Sequence, residues 1–592
     1  MDAENRIFNT RWLAIVILAV IAILPAIQMW HWVSSNWVPL PFWDEWHTPG
    51  SQFESWYRGT LTWQEMFSQH NESRNFFPRL LYFALQYFGG WDVRKEIRVV
   101  FFGVCALCLL LLHLLRRTPG ATPLSTLVGW ILMTFVCFAP VQVENFLYGI
   151  EIETFFPGFA VLAAAAVNLS GLSFRTKTLA TVTLAFVATY TFANGMLVWA
   201  LAWPLRAPNE STPLRRRVLW TALYLIAGTL SVGAYFIGYH RPSYHPEFAS
   251  ITAKFLELAH YIILWSGNYF ATDFAGPFLL GSIVLCLFAG AAGLALWTIW
   301  QGGDWRTFYP WLLLGAFACV TVTITALGRL GFGVEQALDN RYVAFSRFLY
   351  LAFFGLCFAL YCARVRPAAA GTRAFWLTNA AWLLGFLAIF WAASYWKNVN
   401  VLAAHQQLRT HLLTSLEWIE PIPDNPDLAL ILPFVEPLRN RARYLEEQHV
   451  LRLPFVHAPL GSAVQQAPPQ ADEVHGRIES VERDGVDRLR LQGWAWLPER
   501  NRPADCVVIG AENPSGAFKP TTVIETGVKR PDLRDGKRDR HIFRAGFAHS
   551  ASIANLPPGE IRIKGWAIDL RAQKAWPLAG AFQLSTPGSD TR

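Results

Sequence analysis

Long, nearly uninterrupted runs of apolar residues restrict what this 592-residue chain can fold into. Several runs exceed the roughly 18 apolar residues that mark a membrane span. Because a bilayer core cannot hydrogen-bond exposed backbone, each run is predicted to be a helix. Hydrophobic residues make up 53% of the chain, and Trp occurs 27 times. A soluble domain has no use for so much apolar surface, so the sequence predicts a mainly α-helical, polytopic membrane protein.

Hydropathy predicts about eleven transmembrane helices. The weakest pair, 178–192 and 195–205, would together be long enough for one kinked span, but Asn194-Gly195 predicts a turn between them. The first run is too long for a signal peptide and is predicted to be a retained anchor. The spans are predicted at about 12–33, 97–115, 124–141, 155–171, 178–192, 195–205, 218–239, 274–300, 308–327, 343–363 and 374–396.

Basic residues in the short loops predict the orientation of the spans. Arg116-Arg117, Arg215-Arg216-Arg217 and Arg364 fall on one side if the span count is odd and close to eleven, and that side is the cytoplasm. These clusters also explain much of the formal net charge of +8, so no nucleic-acid partner is expected. The N terminus is then cytoplasmic, and the parts that face outside are 34–96, 142–154, 240–273, 328–342 and everything after about 397.

Changes of composition divide the chain into four parts. Residues 1–400 are the predicted transmembrane domain, which includes the first outer loop, 34–96. Residues 401–457 are predicted to be a helical segment outside the membrane. A Pro/Ala/Gln-rich linker, 458–474, leads to a predicted all-β, β-sandwich-like domain at 475–592, where short alternating runs are bounded by Gly and Pro.

Local patterns predict further elements outside the spans. The capping box Thr62-Trp63-Gln64-Glu65 predicts the start of a short helix. A second helix, Arg79 to Phe88, is ended by Gly89-Gly90 and is predicted to lie flat at the membrane interface. Two amphipathic helices are expected at 400–420 and 435–450.

A near-repeat stands out in the β domain. Gly493-Trp494-Ala495-Trp496 is followed later by Gly565-Trp566-Ala567-Ile568. The alternating pattern around both favours tryptophans that pack in the sheet core over tryptophans that stack on sugars.

Two adjacent carboxylates, Asp44 and Glu45, follow the first predicted span in an aromatic segment. Partial burial beside aromatic rings raises a carboxyl pKa, which suits a general base that works near neutral pH. Aromatic residues alone are ordinary at a membrane interface. The alternative interpretation is a solvated turn that happens to be acidic.

A dense polar segment precedes the apolar helix of the first loop. Its side chains can grip sugar hydroxyls or phosphate, and its arginines can bind phosphate in bidentate fashion. The alternative is an interfacial helix whose arginines extend toward water. The candidate substrate-binding residues in this segment are His70, Asn71, Glu72, Arg74 and Arg79.

Two more outer loops carry candidate residues. Glu144 and Glu151 could line the same cavity or could form a polar cap. Arg329, Arg341 and Tyr342, together with Arg347, are expected between two spans on the outer side, where arginine runs against the usual charge bias. Binding a lipid phosphate explains arginine there. No Walker or Rossmann motif occurs in the sequence, so a nucleotide donor is not expected.

Taken together, residues of about 10–420 resemble the GT-C superfamily of polytopic glycosyltransferases, which have an acidic motif and flat helices in the first outer loop. The pattern is most similar to a set of bacterial membrane proteins with Trp-Asp-x-Trp and then His-Asn-Glu-x-Arg-x-Phe-Phe-Pro-Arg. Here these motifs are Trp43 to Trp46 and His70 to Arg79. The Gly-Arg…Gly-Phe-Gly…Arg-Tyr pattern at 328–342 is similar to the same set.

The resemblance implies an inverting transfer of a sugar from a polyprenyl-phosphate donor to a periplasmic acceptor. The acceptor would be a surface polysaccharide, a glycolipid or a protein. Asp44 matches the first-loop acid of the superfamily, and Glu45 would be its partner. No cofactor is required, although some relatives use a divalent metal, so Mg²⁺ or Mn²⁺ beside Asp44 and Glu45 is compatible with the resemblance. The implied location is the bacterial inner membrane, with the C-terminal domain in the periplasm.

Two other functions compete with this expectation. A transporter or flippase for lipid-linked sugars predicts polar residues near the bilayer midplane and internal repeats, and the sequence offers few charges inside spans and no clear repeat. A non-catalytic envelope scaffold would use the β domain as its working part. Fold alone does not separate these functions, because function depends on the site.

Overall fold

A computed structural model describes residues 2–206, 212–270, 276–365, 370–420, 425–452, 473–484, 488–514, 518–536, 540–552 and 559–586, with a few single positions between them. The described residues form two compact units. The first contains Met1–Trp37, Leu61–Ala84 and Lys95–Leu402. The second contains Val38–Thr60, Leu85–Arg94 and Ala403–Arg592.

Helices account for most of the chain. In chain order they are α1 Asp2–Asn36, α2 Asp44–His47, α3 Gly50–Tyr57, α4 Trp63–Met66, α5 Phe76–Tyr87, α6 Val93–Arg117, α7 Pro123–Cys137, α8 Val143–Phe146, α9 Ile152–Leu169, α10 Phe174–Thr189, α11 Leu197–Leu201, α12 Leu214–Phe236, α13 Phe255–Gly267, α14 Pro277–Trp300, α15 Tyr309–Arg329, α16 Asn340–Leu360, α17 Ala370–Glu417, α18 Leu428–Ile431, α19 Val435–Glu447 and α20 Pro531–Gly536.

Eight helices in the described part of the chain are long and apolar enough to cross a membrane, so this is a multi-pass membrane protein. Three of the eleven predicted spans, 178–192, 195–205 and 374–396, are not among the eight. In place of the first two lie α10, of 16 residues, and α11, of five. The third lies within α17, a 48-residue helix many of whose side chains fall outside the described residues.

The predicted break at Asn194-Gly195 is present. Helix α10 ends at Thr189, and the Gly195 N–H donates to the Phe192 carbonyl at 2.8 Å in a 3₁₀ turn before α11. A Cβ on Gly195 would lie 1.9 Å from the Ala188 carbonyl oxygen. Only glycine therefore allows the chain to pass so close to the end of α10.

The local predictions for the first loop also match the structure. The Thr62 side chain accepts a hydrogen bond from the Glu65 N–H and caps α4. The predicted second helix is α5, which begins three residues earlier than expected, at Phe76. It ends before Gly89 and Gly90, both at positive φ, which glycine adopts without steric cost.

The core of the first unit is built around α16. All but a few of its side chains are buried, and it packs against α7, α14 and α15. An apolar helix that is buried on every side is typical of the centre of a membrane bundle. Helices α1, α12 and α14, by contrast, keep many large apolar side chains exposed.

The described residues in the C-terminal part of the second unit form two antiparallel sheets, so the predicted C-terminal β-sheet region is present. The strands are β1 Gln69–His70 and β2 Ser73–Arg74 in the first unit, then β3 Gly476–Arg483, β4 Arg488–Leu497, β5 Arg502–Pro503, β6 Cys506–Glu512, β7 Phe518–Ile524, β8 Gly546–Ser552, β9 Gly559–Asp569, β10 Lys574–Pro577 and β11 Phe582–Thr586. The first sheet has the order β10-β9-β6-β7 with β11 on β9, and the second the order β3-β4-β5 with β8 on β4.

The repeated tryptophans pack as predicted. Trp494, Trp496 and Trp566 are all buried, on strands β4 and β9. Their rings therefore pack within the domain and are not open platforms for sugars.

The segment between the spans and the β domain differs in part from expectation. The predicted separate helix 400–420 is the C-terminal end of α17, because no helix-breaking residue interrupts the sequence there. The predicted helix 435–450 is α19, which ends at Glu447. The predicted linker, 458–474, falls almost entirely outside the described residues.

Helices α13 and α14 approach closely through glycine. A Cβ on Gly281 would lie 1.9 Å from the Ile263 carbonyl oxygen, whereas one on Gly290, in the same helix, would meet nothing within 4 Å. Gly281→Ala should therefore lower the free energy of unfolding by about 1–3 kcal/mol because it forces the helices apart. Gly290→Ala should be neutral or slightly stabilising, since alanine favours helix. Thermal unfolding in detergent tests this, and equal melting temperatures for the two variants would contradict it.

Candidate functional site

The acidic motif lies in the second unit, and its two carboxylates differ in environment. Glu45 is 2% exposed, and its side chain accepts the Phe42 N–H at 2.8 Å. The Trp46 indole is buried and donates to the Pro41 carbonyl at 2.8 Å. Asp44 begins the short helix α2 and is only partly buried. Glu45 therefore stabilises the turn, and Asp44 is the more accessible of the two carboxylates.

Trp43, just before Asp44, has an unusual backbone. Its φ is 49° and its ψ is −114°, and its side chain is 45% exposed. A bulky residue rarely adopts positive φ, and such strain persists only where the surroundings hold it. The Trp43 N–H donates to the Ile431 carbonyl at 2.9 Å. Strained residues cluster at functional sites, which supports a role for this turn.

Two arginines from late in the chain contact the same turn. The Arg409 guanidinium lies over the Phe42 ring, with Cζ 3.5 Å from the ring centroid. Arg441 donates to the Trp46 carbonyl at 2.5 Å and to the Glu54 carboxylate at 2.9 Å. Neither arginine was predicted from the sequence, because both lie more than 360 positions after the motif and no local pattern links them to it.

The polar segment of the first loop lies in the first unit and forms the small hairpin β1–β2. Arg74 donates to the carbonyl oxygens of Phe67, Tyr235 and Ile237, each at 2.6 Å. Two of these bonds attach the hairpin to the end of α12 and the third attaches it to the end of α4, and all three nitrogens of the guanidinium that was predicted to bind phosphate are engaged. Arg74 therefore has a structural task here.

Arg79 is buried in a similar way. It is 1% exposed and donates to the carbonyl oxygens of Glu65, Met66 and Ser68 at 2.7–3.1 Å. Burial lowers the pKa of Arg79 to about 10, although Glu153 and Glu65 oppose the shift, so the side chain remains charged near neutral pH. Its contacts hold the loop that precedes α5.

The Glu72 carboxylate joins two motifs that are far apart in the sequence. Its two oxygens lie 2.6 and 2.8 Å from Nη2 of Arg329, at the end of α15. The first of these oxygens also lies 2.9 Å from Nδ1 of His245. Nη1 of Arg329 lies 3.2 Å from Nε2 of His245. The structure thus brings predicted residues Glu72 and Arg329 together and adds His245, which the sequence analysis missed.

The hydrogen bonds around His245 select one protonation state. Arginine has no acceptor, so Nε2 of His245 must accept from Arg329, and Nδ1–H then donates to Glu72. This is the neutral imidazole. Burial lowers the pKa of His245 below its usual value, Arg329, Arg241 and Arg341 lower it further, and Glu72 opposes the shift. The cluster therefore carries one positive and one negative charge near neutral pH.

The remaining loop residues extend this polar region. Asn71 accepts from the Tyr244 hydroxyl, one residue before His245. His70 pairs with Ser73 in the hairpin and is half-buried. These contacts attach the hairpin to the segment that follows α12. The signal that could have found His245 is its position in the predicted outer loop 240–273, close to Arg241.

The start of α16 holds a second group of predicted residues. Arg341 pairs with Asp339 at 2.6 Å, and 56% of its side chain is exposed. Tyr342 is 7% exposed. Glu144 accepts from the side chain of Asn340, so this predicted acid also lies beside α16. Of the predicted arginines in the first unit, Arg341 is the most accessible.

Glu151 does not join these groups. It is 5% exposed and accepts from the Thr154 hydroxyl at 2.6 Å. It lines a small cavity inside the bundle together with Arg347, Gln142 and Asn145. Arg347 was expected in an outer loop but lies within α16, where it is 4% exposed, because α16 begins at Asn340 and buries nearly all of its length.

The carboxylates offer limited support for a metal. Glu45 is engaged by the backbone of its own turn. Within the described residues, no group of three or more His, Cys, Asp or Glu side chains is placed to hold a metal ion. A divalent ion beside Asp44 and Glu45 stays a prediction.

Comparison with known proteins adds no relative. No family model, no curated protein and no solved structure matches this chain.

The neutral protonation state of His245 predicts how the stability of the protein depends on pH. A folded pKa below the unfolded one means that the folded protein binds fewer protons, so the stabilisation is complete above about pH 6.5 and is lost as the pH falls below it. His245→Gln keeps a donor for Glu72 and an acceptor for Arg329 but removes the titration. Between about pH 7.5 and 5.5 the melting temperature of the variant should fall less than that of the wild type.

The control is His240→Gln, at an exposed position of the same loop. It should show the wild-type pH dependence. If His245→Gln and His240→Gln lose the same stability on acidification, the neutral imidazole is not what holds this cluster.

Proposed function

We propose that this protein transfers a sugar from a polyprenyl-phosphate donor to an acceptor on the periplasmic side of the bacterial inner membrane, as an inverting GT-C-type glycosyltransferase. The acceptor is a surface polysaccharide, a glycolipid or a protein. The multi-pass helical fold, the resemblance of the two loop motifs and the geometry of the acidic turn support this function. The observation that carries it is the difference between the two carboxylates. Glu45 is buried and accepts the Phe42 N–H, whereas Asp44 is accessible.

Asp44 acts as the general base. It takes the proton of an acceptor hydroxyl as that oxygen attacks the anomeric carbon of the donor. The bond between the anomeric carbon and the phosphate oxygen breaks, and polyprenyl phosphate leaves with the electron pair. The exposed Trp43 beside Asp44 offers an apolar surface on which a sugar ring can stack. Phosphate is a good leaving group, so the chemistry requires no metal.

Arg341 and Arg329 are the proposed anion-binding residues of the first unit. Arg341 is largely exposed, with one carboxylate partner at 2.6 Å. Arg329 shares its carboxylate, Glu72, with a neutral histidine, and 18% of its side chain is exposed. Charge-assisted hydrogen bonds from arginine suit the developing charge on a leaving phosphate. Arg74 and Arg79 instead bind backbone carbonyls and support the loop.

A second function, translocation of lipid-linked sugars, draws support from Arg347 and Glu151. Both are buried ionisable residues within candidate spans, beside a cavity. Ionisable residues inside a membrane often mark a transport route. A protein of this kind would move a lipid-linked sugar between leaflets without forming a new glycosidic bond.

The central test compares two neighbouring carboxylates. Purified protein in lipid vesicles is given polyprenyl-phosphate sugars extracted with a radiolabel, and consumption of the lipid-linked sugar is measured with an acceptor fraction present. Asp44→Asn should lower the rate about 100-fold or more because it removes the base. Glu45→Gln should retain most activity, since the amide oxygen still accepts the Phe42 N–H.

Consumption by Asp44→Asn protein at the wild-type rate would refute the assignment. Movement of labelled lipid between leaflets, with no release of polyprenyl phosphate, would establish translocation instead.

A further inference from the structure

The acidic turn, Phe42 to Trp46, is held by residues that come late in the chain. Its strained residue Trp43 bonds to Ile431, the Trp46 carbonyl accepts from Arg441, and the Phe42 ring lies under Arg409. All of these residues belong to the second unit. A backbone conformation that costs energy must be stabilised by its neighbours.

Arg441 is placed to serve as a clamp. Its side chain is 16% exposed and packs against Gly50, where an added Cβ would lie 3.6 Å from the arginine Cδ. One nitrogen holds the carbonyl that ends the turn, and another holds Glu54 on the next helix, α3. Glu54 is also held by Arg58 at 2.9 Å, and Arg58 lies over the Tyr444 ring of α19. The fork of the guanidinium therefore fixes α2 and α3 relative to α19.

Arg409 covers the other end of the turn. It is 8% exposed, and its guanidinium stacks on the Phe42 ring two residues before Asp44. A buried cation over an aromatic ring contributes more than an exposed one because it has lost competing water. Lysine presents no flat surface for this contact.

We propose that Arg441 and Arg409 are positioning residues, which hold the turn so that the Asp44 carboxylate keeps the orientation needed for proton transfer. This inference deepens the proposed function and rests on it for the catalytic part. On this proposal, residues after 402 form part of the site that positions Asp44. The carboxylate of a general base must lie within hydrogen-bond reach of its proton, so small displacements lower the rate steeply.

The test uses the full chain with a matched control on the same helix. Arg441→Met removes the clamp, and Arg441→Lys keeps its charge but not its fork. Arg443→Met removes an arginine of the same helix that pairs instead with Glu420, at 2.5 Å. Hydrogen–deuterium exchange of the peptide that contains residues 42–48 reports on the turn without any substrate. Arg441→Met should speed its exchange about tenfold, and Arg443→Met should not change it.

Kinetics then separates positioning from general damage. Arg441→Met should lower kcat about 10- to 100-fold with little change in KM, and Arg441→Lys should recover part of the loss. If Arg441→Met does not fold, Arg441→Lys decides: faster exchange confined to 42–48 supports the clamp. Wild-type exchange in that peptide overturns it.

The same experiment distinguishes two kinds of failure. If Asp44→Asn has wild-type activity while Arg441→Met loosens the turn, the proposed function fails and the clamp stands. If Asp44→Asn is inactive but Arg441→Met loosens the turn with no change in kcat, the positioning role is overturned and the function stands.

Discussion

A lipid bilayer offers no hydrogen bonds to a protein backbone, and the architecture of the first unit follows from this constraint. Its apolar runs form helices, and the central one, α16, is buried along nearly its whole length. Polar groups inside such a bundle must find partners within the protein. Asn145 and Gln142, for example, bond to each other and to backbone carbonyls of α16. Irregular backbone is left to the segments that connect these helices.

The arginines show how the same side chain serves different tasks. Arg74 and Arg79 donate hydrogen bonds to backbone carbonyls and thereby stabilise the first-loop segment. Arg329 and Arg441 bind carboxylates and join parts of the chain that are distant in sequence. Arg341 pairs with Asp339 and remains largely exposed, which suits it to meet a ligand anion. The partner of each arginine, and not the residue type, therefore indicates its role.

Local signals in the sequence predicted the elements that depend on local physics. The Thr62 cap, the glycines that end α5 and the alternating strands of the β domain are of this kind. The count of eleven spans stays a prediction, because α10 and α11 are short and the third predicted span lies within α17, many of whose side chains are outside the described residues. Arg409 and Arg441 could not be found in advance, since their importance depends on contacts made across more than 360 positions. His245 carried only a weak signal, its place in the predicted outer loop 240–273. The membrane orientation and the predicted functions stay predictions.

The most direct measurement is an experimental structure of the full chain with a bound polyprenyl phosphate. We expect the phosphate to accept hydrogen bonds from Arg341 or Arg329, at about 2.7–2.9 Å, as in other charge-assisted contacts. A phosphate bound elsewhere, with Arg341 still paired to Asp339 and Arg329 still paired to Glu72, would contradict this prediction.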